Sequence, residues 1–155
     1  MSIVSKYQEL DRLIHQNQEE QLNEVFREIL KDSFELINKK IESNKTLDIN
    51  NPEEAAAARA MFEYMVELWD EGNVDEAKEV GYDMTYLIDD QKVKEMFTLF
   101  VLGMLEGLSI DKFFEKYVKS DKVYKDVFFT DFDEKIDELV IKHRDRFRKE
   151  FSKDA

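Results

Sequence analysis

The side chains that could bind a metal or act in catalysis are few in this sequence, and their spacing assembles no site. His15 and His143 are the only histidines. A carboxylate-bridged iron or manganese centre in a helical bundle uses two Glu-x-x-His motifs. Arg12 and Val140 stand three residues before the two histidines, where that motif requires glutamate. The sequence therefore predicts no centre of this kind.

Calcium binding, nucleophilic catalysis and phosphate binding also lack their required residues. In a loop counted from Asp70, Gly72 and Val74 stand where an EF-hand has its third and fifth ligands. The chain has no cysteine and no Gly-x-Ser-x-Gly motif, and its four scattered glycines form no phosphate-binding loop. We therefore expect a non-enzymatic protein without catalytic residues, metal or cofactor.

The elements that would position any functional surface are predicted to be helices. Residues 3–43 contain neither glycine nor proline, which predicts a long N-terminal helix. Residues 15–21 contain no apolar side chain, so we expect either a break near residues 16–20 or first turns that project as an arm of residues 1–20. The arm would carry a stripe of Ile3, Tyr7, Leu10 and Ile14. This stripe either folds back on the core, pairs with a second copy in a homodimer, or lies in a partner's groove.

A tight αα-hairpin is predicted over residues 52–88, after a linker at residues 44–51. Asn51 and Pro52 have the types preferred at a helix start, and Gly72 ends the first helix just before the second begins. The turn from Gly72 to Ala77 resembles the turn between the two helices of a tetratricopeptide repeat, with glycine ahead of an acidic pair and a small alanine. The resemblance covers one hairpin and implies two antiparallel helices. Gly81 stands where the repeat has a large residue, and solenoids need several repeats.

The remaining helices complete an all-α, single-domain bundle of five to seven helices over residues 1–155. From residue 96 to residue 105 apolar side chains cover every face, which predicts that residues 93–107 form a central helix buried by its neighbours. The spacing from Asp131 to Glu134 predicts a capping box at the start of the last helix. No segment alternates apolar and polar residues over the length of a strand, so we expect no sheet.

The charge of the chain is concentrated in the predicted hairpin. Residues 52–91 hold twelve acidic and two basic residues, or −10 of the total of −13. We call eight of these carboxylates the acidic surface: Glu63, Glu67, Asp70, Glu71, Asp75, Glu76, Glu79 and Asp83. So many like charges close together repel one another and destabilise the folded protein, and binding of a basic partner would reduce this repulsion. We also expect an adjoining apolar groove, because Met side chains suit adaptable recognition; its residues would be Met61, Met65 and Trp69.

These features favour a non-catalytic cytoplasmic protein-binding module: an adaptor, an assembly or secretion chaperone, or a regulator. The alternative is an acidic inhibitor or nucleic-acid mimic, of the immunity, anti-restriction or anti-CRISPR type, that blocks a basic site on another protein. A third interpretation is a small-molecule sensor whose core has space at Gly81 and Gly103. The expected partner is a protein with a basic surface. Direct nucleic-acid binding needs clustered cations, and a membrane span needs about 20 apolar residues, so we expect neither. Charged residues follow Ile3 closely, which predicts no secretory leader.

Overall fold

The computed structural model describes residues 2–119 and 131–154, and this part of the chain is almost entirely helical. Its elements are α1 (Ile3–His15), α2 (Glu19–Glu42), α3 (Pro52–Asp70), α4 (Val74–Leu87), α5 (Gln91–Leu105), α6 (Ile110–Tyr117), β1 (Val118–Lys119), β2 (Asp131–Phe132), a 3₁₀ turn (Glu134–Ile136) and α7 (Asp137–Asp154). The prediction of an all-α helical bundle is confirmed. Backbone contacts group the chain into two compact units, residues 1–61 and 62–155, so that the boundary falls inside α3. The single-domain organisation stays a prediction.

The first unit is built on an antiparallel pair of helices, α1 and α2. The predicted long helix breaks at residues 16–18, where Asn17 has a φ of 52°. Lys6 near the start of α1 pairs with Asp32 of α2, which fixes the antiparallel direction. Residues 1–20 therefore do not project as an arm: α1 folds back on α2, and Ile3, Tyr7 and Leu10 of its apolar stripe are buried.

Four of the described helices end in one backbone motif. A residue with positive φ follows α1, α2, α3 and α5; the four residues are Asn17, Asn44, Gly72 and Gly107. After α3, the N–H of Asn73 donates to the carbonyl of Leu68 over 2.8 Å, the long hydrogen bond of a Schellman motif. Glycine and asparagine tolerate the left-handed conformation that this motif requires. These residues explain why α1, α2, α3 and α5 end where they do.

The second unit is organised around α5, as predicted for residues 93–107. Ten of the fifteen residues of α5 are buried. Phe100 lies at the centre of an aromatic cluster, with ring centroids 5.0 Å from both Phe62 and Phe113 and 6.3 Å from Trp69. This packing explains why apolar side chains cover every face of α5 from residue 96 to residue 105. Within the described residues, no helix combines the length and apolar content that crossing a membrane requires.

The two glycines of the predicted core cavity leave no open space beside their backbone. A Cβ at Gly81 would lie 2.3 Å from Val101 Cγ2, and one at Gly103 would lie 2.4 Å from the Phe113 ring. Both distances are far below van der Waals contact. The glycines therefore allow α4 and α6 to approach α5 closely, and the space expected for a small-molecule sensor is filled by protein.

The C-terminal segment differs from the prediction at its first residues. Residues Val118 and Lys119 pair antiparallel with Phe132 and Asp131 in a ladder of two residues per strand. Such a short ladder has no alternating pattern to detect, which is why the sequence predicted no sheet. The capping oxygen belongs to Asp133, whose carboxylate accepts a hydrogen bond from the N–H of Lys135 over 3.0 Å. The expected cap at Asp131 is wrong, since Asp131 belongs to β2.

Candidate functional site

The acidic surface lies on the second half of α3, on the turn after it and on α4. Seven of its eight side chains are exposed and Glu63 is half-buried. Six of the carboxylates recur every four residues in two rows: Glu63, Glu67 and Glu71, and Asp75, Glu79 and Asp83. Helical side chains four residues apart lie on the same face. Each helix therefore carries a row of like charges, and this spacing was a signal available in the sequence.

Tyr64 shows that the two helices present their carboxylates to one place. Its side chain is half-buried on α3. Burial raises the pKa of the Tyr64 phenol above its ordinary value, and the charges of Glu76, Glu67 and Glu71 raise it further. Glu76 belongs to α4, whereas Glu67 lies on α3 and Glu71 directly follows it. The acidic surface is therefore continuous across the helix pair and has an aromatic side chain within it.

Lys78 is the only basic residue in α4 and the second half of α3, and it also binds a carboxylate of α7. Its Nζ lies 3.5 Å from Glu150 and 3.7 Å from Asp75. Burial alone would raise the pKa of Glu150, but a hydrogen bond from Tyr82 and the charges of Lys78 and Arg146 outweigh burial and lower it. The Asp75 side chain remains 98% exposed. Lys78 therefore ties α4 to α7 and neutralises little of the acidic surface.

Two further acids of the charge-rich segment belong to the first unit and are used there. The Glu53 carboxylate accepts a hydrogen bond from the backbone N–H of Ile3 at the start of α1, where negative charge is favourable. Glu54 is buried and lies 2.6 Å from the Lys40 ammonium. It also accepts a hydrogen bond from the N–H of Asp48 over 3.2 Å. These two charges are structural, and the acidic surface starts at Glu63.

The structure places Met61, Met65 and Trp69 in the core and not in a groove. Their exposed fractions are 3%, 0% and 4%. The indole N–H of Trp69 donates to the carbonyl of Leu108 over 3.1 Å, and its ring centroid is 5.2 Å from that of Phe113. A stripe at spacings of three and four is the usual pattern of a core-facing helix. These residues therefore offer no surface to a partner, contrary to the sequence analysis.

The predicted partner stripe of α1 is also largely buried. Ile3, Tyr7 and Leu10 have exposed fractions of 3%, 4% and 8%, whereas Ile14 is 52% exposed. The Arg59 guanidinium lies 3.9 Å from the centroid of the Tyr7 ring, a cation–π contact within the first unit. Most of the stripe is thus buried within the first unit, which is the fold-back alternative. It leaves Ile14 alone of the four to contact a second copy or a partner's groove.

His143 belongs to a charged cluster that joins α7 to the end of α5. Its Nε2 lies 3.0 Å from Glu106 Oε2, and the ammonium of Lys142 donates to Glu106 Oε1 over 2.6 Å. The hydrogen bond from Lys142 lowers the pKa of Glu106, with a further lowering by His143 that burial opposes. Both carboxylate oxygens of Glu106 are therefore occupied by polar contacts with α7. No three histidine, aspartate or glutamate side chains of residues 2–119 and 131–154 form a group that could hold a metal ion.

Among known proteins, no family model, no curated protein and no solved structure matches this chain.

Proposed function

We propose that this protein is a non-catalytic protein-binding module whose acidic surface docks on a basic surface of a partner protein. The observation that carries the proposal is the pair of rows of mostly exposed carboxylates, spaced four residues apart along α3 and α4, with the half-buried Tyr64 on α3 beside them. Tyrosine is enriched at interfaces because its ring supplies contact area and its hydroxyl a polar end. Carboxylates around such a ring steer a cationic surface towards it and reject anionic ones.

The energetic cost of the acidic surface supports a binding role. Like charges four residues apart on a helix destabilise it by about 0.2–0.5 kcal/mol per pair. The two rows contain four such pairs, so their cost is roughly 1–2 kcal/mol. Natural proteins often give up stability where a surface serves function. A basic partner would convert this repulsion into attraction.

The proposal covers an adaptor, an assembly or secretion chaperone, and a regulator, since each would use this surface to bind a protein. It retains the cytoplasmic location expected from the sequence. The acidic inhibitor remains the alternative and differs in its target, which would be a nucleic-acid-binding site. DNA or RNA would then compete with this protein for the partner. The partner of an adaptor would instead bind nucleic acid and this protein at the same time.

The test is quantitative affinity capture from the native source with a triple charge reversal. The variant carries Glu67→Lys, Glu71→Lys and Glu76→Lys, which reverse the three carboxylates around Tyr64. The matched control carries Asp11→Lys, Glu24→Lys and Glu42→Lys, three exposed acids of the first unit. Both variants change the net charge by the same amount, so a general effect of charge cancels.

We expect a partner that the wild type and the control recover and the triple reversal loses. With the purified partner, the triple reversal should raise the Kd about 3- to 150-fold, from roughly 0.2–1 kcal/mol per exposed charge. Raising the salt concentration should weaken wild-type binding and reduce this difference. Equal recovery by the triple reversal and the wild type would show that the acidic surface is only solvated.

A further inference from the structure

A groove of about 420 Å³ lies between α5 and α7 in the second unit. Its apolar lining consists of Leu99 and Leu102 from α5 and of Val140 and Phe147 from α7. The volume falls within the range of about 300–1,000 Å³ that is usual for small-molecule sites. The groove shares no residue with the acidic surface, so an inference from it is independent of the proposed function.

The polar lining of the groove is mainly cationic, although the chain as a whole is strongly acidic. Lys94, Arg144 and Arg148 line it, and Glu95 is the single carboxylate among its described lining residues. Arg144 and Arg148 are exposed, and Lys94 is half-buried. Cations thus outnumber carboxylates among the described lining residues, which favours an anionic group in the groove. A neutral or cationic ligand would make no use of this excess of cations.

The cations are not spread evenly along the groove. Glu106, at the C-terminal end of α5, binds Lys142 and His143 near the start of α7, and α7 then lines the same groove as the earlier residues of α5, so the two helices run antiparallel. Arg148 therefore lies nearer than Val140 to the end of the groove that contains Lys94 and Glu95. Val140 and Leu102 belong to the other end, and Arg144 lies between them and Arg148.

We propose that this groove binds a single-chain anionic amphiphile of the fatty-acid class. The carboxylate would lie between Lys94 and Arg148, with Arg144 beside the upper chain, and the hydrocarbon would cover Leu99, Leu102 and Val140. In this position the carboxylate of the ligand would lie beside the cations of the groove, and its hydrocarbon chain would cover the apolar side chains. An acidic amphipathic helix would instead need cations along its whole length, which the apolar end does not provide.

The test is isothermal titration of the full-length protein with laurate at monomeric concentrations. Dodecyl maltoside supplies the same chain with a neutral head, and hexanoate supplies the same head with a short chain. The test variants are Lys94→Gln with Arg144→Gln, which remove two of the cations, and Val140→Phe, which fills the apolar end. Their matched controls are Lys92→Gln with Lys149→Gln, which removes one exposed cation from each of the same two helices, and Ile141→Phe on α7; none of these residues lines the groove.

We expect one laurate per chain, with at least tenfold weaker binding of both dodecyl maltoside and hexanoate. The double cation variant and Val140→Phe should each weaken laurate about tenfold, and the two controls should change it less than twofold. Far-UV circular dichroism confirms that each variant is folded. The proposal is overturned if laurate and dodecyl maltoside bind equally well, or if no saturable laurate binding is found. It is also overturned if the control variants lose as much affinity for laurate as the test variants. It is also overturned if an acidic helical peptide binds this groove and laurate does not.

Discussion

Neutralising the central glutamate of either acidic row should make the protein more stable while weakening its proposed binding. Glu67 and Glu79 each stand between two like charges four residues away, and both are exposed. Glutamine has nearly the same size and helix propensity as glutamate, so Glu67→Gln and Glu79→Gln change little except the charge. Most surface substitutions have no such directional effect on stability.

The magnitude follows from the spacing. Each substitution removes two like-charge pairs of about 0.2–0.5 kcal/mol, so each should raise the free energy of unfolding by roughly 0.4–1 kcal/mol. The double variant should gain roughly 1–2 kcal/mol, because the two residues lie in different rows. The gain should shrink towards zero at 1 M salt, where the Debye length is about 3 Å. Glu67→Gln should also lower the pKa of Tyr64 towards its ordinary value.

Urea unfolding followed by Trp69 fluorescence measures this effect. Trp69 is the only tryptophan and is buried in the unit that holds both glutamates. Glu9→Gln is the matched control, because Glu9 accepts hydrogen bonds from Arg12 and its loss should give no stabilisation. Stability that falls in both Glu67→Gln and Glu79→Gln at low salt would refute the reasoning, since it would mean that these carboxylates have favourable partners.

Three other predictions concern packing, pH and a helix end. Gly103→Ala should lower the free energy of unfolding by about 1–2 kcal/mol, since its Cβ would overlap the buried Phe113 ring and the overpacking exceeds the helix-propensity gain; urea unfolding should show no such loss in a Phe113→Leu background. Glu106 has a lowered pKa in the folded state, so its contribution to stability is present above its unfolded pKa, about 4.3, and is lost as pH falls further. Glu106→Gln should therefore flatten the decline of stability below about pH 4.5 in acid titrations followed by circular dichroism. Asn17→Val should lower the melting temperature, at a cost of about 1–2 kcal/mol for its left-handed φ, whereas Asn17→Gly should not.

The sequence predicted most of the helices because their signals are local. Asn51 caps α3 through hydrogen bonds to the N–H groups of Glu53 and Glu54, and Ser109 caps α6 through the N–H of Lys112. The break at Asn17 was predicted only as one of two alternatives. Asparagine is common in many contexts, so one residue with left-handed φ is a weak signal inside a run of good helix formers.

The site was harder to predict because exposure depends on packing between elements. The methionines and tryptophan of α3 have the same spacing whether they face a core or a groove, and only the contact with α5 and α6 decides between them. The cationic groove was missed for a related reason. Its residues come from α5 and from α7, about 50 positions apart, and in sequence the basic residues of α7 alone look like favourable charges at a helix C-terminus.

The arrangement of charge favours the second unit as the functional part of the chain. In the first unit, opposite charges are paired: Lys6 with Asp32, Arg12 with Glu9, and Lys40 with Glu54. Paired surface charges produce little field at a distance, because each cancels its neighbour. In the second unit, Glu106 pairs with Lys142 and Glu150 with Lys78, but the acidic surface also places rows of carboxylates on α3 and α4. Like charges in one row repel each other and cost stability, and in the proposed function a basic partner would offset this cost.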